Sequence, residues 1–327
     1  MASSVSHLPA PVASGDNRLA AVDDLIDQAR GYAQQSQSPN TRRAYEHGVR
    51  DFAAFCALHG LDAFPATPQT IALYMTHLAA SMRVSTMRQR LAAISVQHRR
   101  AGFDSPCSHR IVREVMNGVA RTKGTAPTRK AALTLEPLRA LLLAVKGDDV
   151  AAMRDRAILL LGFGGALRRS ELAALRVEDL RFSSKGLLVR IVRSKTDQFG
   201  ESQEVAVPFL KSASLCPVKA VRAYLEASGL TSGPLFRSLS FKRTITDHAI
   251  AGVDVANLIK RLARRAGVEG DFSGHSLRAG FATAAASARI SLDSIARTTR
   301  HKSLSVLMSY IRPAQAFDDV ALSSIVA

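Results

Sequence analysis

The chain has 327 residues and a formal charge of +17, with 44 Lys and Arg against 27 Asp and Glu; 47% of the residues are hydrophobic and 22% charged. That length accommodates two domains, each with its own core, and that balance excludes a disordered or fibrous chain. The apolar runs, such as Ala157–Gly164, are far too short to span a bilayer, which excludes a membrane partner.

In chain order, residues 1–17 are small and polar and read as a disordered lead-in. Residues 18–121 carry helical periodicity with almost no strand signal, and read as a helical bundle. One helix begins near Thr41 after Ser38-Pro39-Asn40 and places Tyr45, Val49, Phe52, Phe55 and Cys56 on one face. A second follows Thr67-Pro68 with Ile71, Tyr74, Met75 and Leu78 apolar, and a third runs from about Ser85 with Met87, Leu91 and Ile94. A fourth follows Ser105-Pro106 with Ile111, Val115 and Val119. Residues 122–133, with Gly124 and Pro127, read as a basic linker. Residues 134–327 form the second domain. Thr134 is the expected N-cap of a helix holding Pro137, Leu138, Leu141 and Leu142, and Leu187–Val192 and Glu204–Val207 form an expected hairpin. The last segment, after Pro313, reads as an amphipathic helix with Phe317, Val320, Leu322, Ile325 and Val326.

Both domains are basic. Residues 1–132 hold 16 basic and 9 acidic side chains, and residues 133–327 hold 28 and 18. A long polyanion contacted by both domains fits this balance, and nucleic acid is such a partner, because each neutralised phosphate releases counterions. The candidate DNA contacts are Arg42, Arg43, Arg83, Arg88, Arg90, Arg99, Arg100, Arg121, Lys123, Arg129 and Lys130. Cys56, Cys107 and Cys216 lie far apart with no paired spacing, which excludes a disulfide framework or zinc site and fits a cytoplasmic protein. Met1 to Ala13 lacks the basic and apolar regions of a signal peptide.

Four segments carry possible chemistry. Gly164-Gly165-Ala166-Leu167-Arg168-Arg169-Ser170-Glu171-Leu172 puts arginines at a helix start, a good place for an anion. Lys195 stands at the tip of the expected hairpin. His275-Ser276-Leu277-Arg278 opens another helix, with the histidine and arginine three apart on one face. Tyr310 follows His301 by nine residues, near the end of a short helical stretch.

In this order, G-x-L-R-x-S-E-L, a hairpin lysine, H-x-L-R and H-x8-Y, the chain resembles the tyrosine recombinases, the lambda integrase-like family; in length and tail it is similar to the Cre type. The chain departs from the family pattern at Ala166 and Arg300, where glycine is usual. The resemblance implies a mainly α fold with a small antiparallel β-sheet: an N-terminal helical (SAM-like) core-binding bundle, then an α+β catalytic domain. It implies that Tyr310 attacks the scissile phosphate to give a 3′-phosphotyrosyl link, with neither cofactor nor metal. Arg168, Arg278 and His301 would hold the nonbridging oxygens, Lys195 would protonate the leaving 5′-oxygen and His275 would manage the tyrosine proton. Glu171 would orient His275 or an arginine. The implied partners are a double-stranded site with inverted repeats and further copies of the chain, two on a site and four in a synapse, with the C-terminal helix docking on a neighbour. A type IB topoisomerase shares this chemistry, and a non-catalytic DNA-binding protein shares the charge; both stand as alternatives.

Overall fold

The computed structural model describes residues 22, 24–29, 31–32, 37–126, 130–192, 203–301, 307–308 and 310. The lead-in at 1–17, Arg129, Lys195 and the tail beyond Tyr310 lie outside them. Two compact units divide the chain between Thr128 and Arg129. Among the described residues no helix is long and apolar enough to cross a membrane.

The first unit is built from α1 (Pro39–Leu58), α2 (Pro68–Ala79), α3 (Val84–Arg100) and α4 (Arg110–Lys123). The side chains of Ser38 and Thr67 accept from the backbone N–H of Thr41 and Thr70, and a proline follows each cap, so the Ser-Pro and Thr-Pro pairs start helices as their chemistry dictates. α1 packs mainly on α3, and α2 on α4. Their shared core holds Phe52, Cys56, Ile71, Tyr74, Met75, Met87 and Ile94. In α4 the buried positions are Val112 and Met116, while the expected Ile111, Val115 and Val119 flank them half-buried.

α4 continues through Lys123 and stops at Gly124, whose φ of +72° is readily available to glycine. At the other end of the expected linker, Leu133 is fully buried and donates its N–H to Ser276 O at 2.9 Å. The 122–133 linker is therefore shortened from both sides.

The second unit begins with α5 (Leu135–Leu143). Thr134 occupies its N-cap position, but its side chain makes no capping hydrogen bond. α6 (Val150–Gly164) is buried nearly all round, its Arg154 and Asp155 paired with each other, as suits a central helix, and packs on α8 (Pro217–Ser228). Between them come the short α7 (Arg169–Ala174) and a three-stranded antiparallel sheet of β1 (Leu180–Phe182), β2 (Gly186–Ile191) and β3 (Gln203–Pro208). Leu187 pairs with Val207 and Ile191 with Gln203, and this register turns Leu187, Val189, Ile191, Val205 and Val207 to the core. A hairpin, β4 (Arg237–Leu239) and β5 (Ile245–Ala249), precedes α9 (Gly252–Ala266), α10 (Ser276–Ser287) and α11 (Leu292–Thr299). α10 lies so close to the chain at Leu133 that a Cβ on Gly280 would sit 1.8 Å from Leu133 O.

Candidate active site

The site is built within the second unit from four turns of chain. After α6 the backbone passes through Gly165 to Ala166, which is fully buried with φ +46°. That left-handed conformation disfavours side chains by roughly 1 kcal/mol, which accounts for a glycine being usual there. It turns the Ala166 carbonyl toward the interior, where it accepts from Arg278 Nη1 at 2.9 Å and Arg300 Nη2 at 3.5 Å.

Arg168 occupies the N-cap position of α7. At this helix start, where an anion site is expected, the first N–H is capped from within. Glu171 Oε2 accepts from the Arg168 N–H at 2.9 Å, and Oε1 accepts from Arg168 Nη1. The Arg168 N–H is thereby taken, which leaves the guanidinium groups as the charged donors for an anion here. The Glu171 side chain is completely buried, and its second oxygen lies 2.7 Å from Arg300 Nη2. Burial alone would raise its pKa, but Arg300 and Arg168 together hold it below the usual carboxylate range. Its hydrogen-bond partners are two arginines, one of the two expected alternatives, His275 or an arginine.

α10 carries the His–Arg pair. His275 is exposed at its start, whereas Arg278 is only 1% exposed. Arg278 Nε and Nη2 are buried without a hydrogen-bond partner among the described residues. Burial, then the charges of Arg168 and Arg300, lower its pKa to about 9, so the group stays cationic at neutral pH in an unfavourable setting. Buried N–H groups left unpaired cost on the order of 1–3 kcal/mol each. This cluster is arranged to accept oxygens from an anion.

His301 follows Arg300, which ends α11 in the left-handed conformation (φ +54°). The Thr299 hydroxyl donates to Ile295 O at 2.7 Å and lies 2.7 Å from His301 Nδ1. A hydroxyl has one proton, which assigns the imidazole proton to Nδ1 and leaves Nε2 unprotonated in the neutral ring. Burial and the charges of Arg278, Arg168, His275 and Arg300 lower its pKa to about 4. The Tyr310 ring lies 5.9 Å from that of His301, centroid to centroid. Tyr310 is half-buried, packs beside Ala282, Ala286, Ile295 and Leu307, and accepts from Thr283 Oγ1 on its carbonyl at 3.3 Å.

Arg168, Glu171, Arg278, His301 and Tyr310 thus converge, with His275 near enough for its charge to act on His301. Sequence reasoning overlooked Thr299 and Arg300. Arg300 was visible only as a replacement for glycine. Among the described residues no three His, Cys, Asp or Glu side chains gather to hold a metal.

Of the candidate DNA contacts on the first unit, Arg42, Arg43, Arg83, Arg88, Arg99, Arg100, Arg121 and Lys123 are exposed. Lys123 donates to the carbonyls of Ala79 and Met82, joining α4 to the end of α2. On the second unit, Lys130 is exposed and pairs with Asp271. Arg90 departs from the set. It is 8% exposed, meets His47 Nδ1 at 2.7 Å and approaches Asp51, which also accepts from the Tyr74 hydroxyl. A guanidinium so enclosed braces α1 against α3.

Residues 132–316 match the phage integrase family. An integrase/recombinase xerD homolog of Selenomonas ruminantium is 35% identical over 300 residues, covering 90% of this chain and 88% of the relative. The recombinase cre of Escherichia phage P1 is 28% identical over 318 residues, with 88% of each covered. Among solved structures, the Tn1549 transposon integrase in complex with transposon right end DNA superposes with TM-score 0.59 at 14% identity, covering 92% of this chain and 98% of that one. A lambda integrase dimer on a COC′ core site gives 0.56 at 16% identity, covering 89% and 94%.

Proposed function

The chain belongs to the phage integrase family and is a tyrosine site-specific recombinase, and we propose that Tyr310 is its nucleophile. The phenol oxygen attacks the scissile phosphorus, the P–O5′ bond breaks, and the strand is held as a 3′-phosphotyrosyl ester. The phenol proton leaves to a base, for which His275 is the candidate, and the 5′-oxygen takes a proton from Lys195. A 5′-hydroxyl from the partner strand then attacks the ester and restores both the diester and the free tyrosine, so bond energy is conserved without ATP.

The observation that carries this reading is the pair of unpartnered, buried guanidinium atoms of Arg278, beside Arg168 and His301 and with Tyr310 at the edge. As phosphorus becomes pentacoordinate, charge grows on its nonbridging oxygens, and donors already in place stabilise it without reorganising. His301, held neutral by burial and the neighbouring cations, takes up a proton from solvent as the negative charge of a phosphate approaches and can then donate from Nε2.

The substrate is double-stranded DNA with inverted repeats, bound by two copies of the chain on a site and four in a synapse. The basic charge of both units supports this, as does the lambda integrase structure, which is of a dimer on a core site. The well-separated free cysteines support a cytoplasmic location.

The test begins by selecting a duplex site from a random-sequence pool with the chain itself. On a nicked form of that site the parent chain forms a denaturant-resistant protein–DNA adduct, whereas Tyr310→Phe binds equally well and forms none. An adduct that survives the substitution assigns the nucleophile elsewhere.

A further inference from the structure

The third arginine of the site has no counterpart in the family pattern. The Arg300 side chain is 6% exposed. Its Nη2 pairs with Glu171, and its Nη1 donates to the carbonyls of Gly165 and Thr298, both at 3.3 Å. It stands at a position whose left-handed backbone suits glycine, so the fold tolerates roughly 1 kcal/mol of strain to keep a side chain there.

Charge shows what that side chain does. Glu171 is buried against Arg168, and with no other partner it would cancel the cation meant for the phosphate. Arg300 takes up the second carboxylate oxygen. The cluster of Arg168, Arg278 and Arg300 against Glu171 then keeps two net positive charges rather than one. A phosphodiester carries one negative charge and its pentacoordinate transition state two, so the added charge acts most where the reaction is hardest.

We propose that Arg300 is a positioning residue for strand cleavage: by pairing with Glu171 alongside Arg168 it keeps the site's net charge positive toward the scissile phosphate, while tying the His301 turn to the Gly165–Ala166 turn. This rests on the tyrosine-nucleophile reading above.

The experiment compares Arg300→Met, which keeps bulk without charge, with Arg300→Lys, which keeps charge. Adduct formation is timed at saturating DNA on the selected site, and site affinity is measured separately. Arg300→Met slows adduct formation by about ten- to a hundredfold with affinity nearly unchanged, and Arg300→Lys recovers most of that rate. Equal loss in both variants, or parent rate in Arg300→Met, overturns the proposal. Should Arg300→Met fail to give a cooperative melt, Arg300→Gly replaces it under the same criteria, since glycine relieves the backbone.

A second readout needs no cleavage. In the DNA-free protein, the His301 imidazole of Arg300→Met titrates above the parent's value of about 4, because one neighbouring cation is gone. An unmoved titration means that Arg300 does not set the charge of this site, and also overturns the proposal. If the parent itself forms no adduct, the tyrosine reading fails, while the titration still decides the placement of Arg300.

Discussion

Arg278 is the residue at which stability and activity conflict most directly. It is buried among cations, with two of its nitrogens unpartnered. Replacing a buried, poorly compensated charge by a hydrophobic side chain often stabilises a fold by on the order of 1–4 kcal/mol. Arg278→Met should therefore melt at a higher temperature than the parent in the absence of DNA, while forming no adduct. A fall in melting temperature would mean that the Ala166 carbonyl contact outweighs the repulsion. His301 adds a pH dependence of defined sign. Its folded pKa of about 4 lies below the 6.5 of an unperturbed histidine, so the unfolded chain binds the proton first. The contribution is complete above about pH 6.5 and is lost as pH falls toward 4. Calorimetry across that window should show the loss in the parent and a smaller one in His301→Gln.

At the scale of elements, the sequence was most informative where local chemistry decides the outcome. Ser38-Pro39 and Thr67-Pro68 announce helices because cap and proline act within one turn, and Leu187 to Ile191 alternates because one face of the sheet is buried. β1 and the β4–β5 hairpin were not legible. Leu180–Phe182 is three residues long, and Ile245–Ala249 is half-exposed with polar residues, so pairing with other strands defines them rather than their own pattern. Two substitutions test the fit between elements. Gly280→Ala pushes a methyl into the Leu133 carbonyl and should destabilise the second unit by about 1–3 kcal/mol or more. Arg289, exposed just beyond α10 at φ +56°, should behave oppositely. Arg289→Gly removes backbone strain without losing packing, and should stabilise by about 0.5–1 kcal/mol in chemical denaturation.

At the scale of the whole chain, the sequence revealed that both units are basic but not which cations are used. Arg90 and Arg99 look alike on paper, yet one is enclosed with His47 and the other is exposed. Their loss should separate cleanly. Arg99→Ala should weaken site binding and reduce its salt dependence by about one unit of log–log slope. Arg90→Ala should lower the melting temperature of the first unit and leave that slope unchanged. The candidate site residues were legible as a spaced set, because chemistry restricts their types. Their wiring was not, since nothing in the order of residues indicates that Arg300 turns inward to meet Glu171.

The two strained turns have a consequence for anyone who recombines this protein with its relatives. Ala166 and Arg300 touch through a hydrogen bond between them, and each stands where glycine is usual in the family. The contact is made to a backbone carbonyl and joins segments more than a hundred residues apart in the chain. A chimera that imports only the loop before His301, glycine included, relaxes its own backbone but strands Glu171 on Arg168. Grafts should therefore move both segments together, and the effects of the two glycine substitutions should be non-additive when measured singly and in combination.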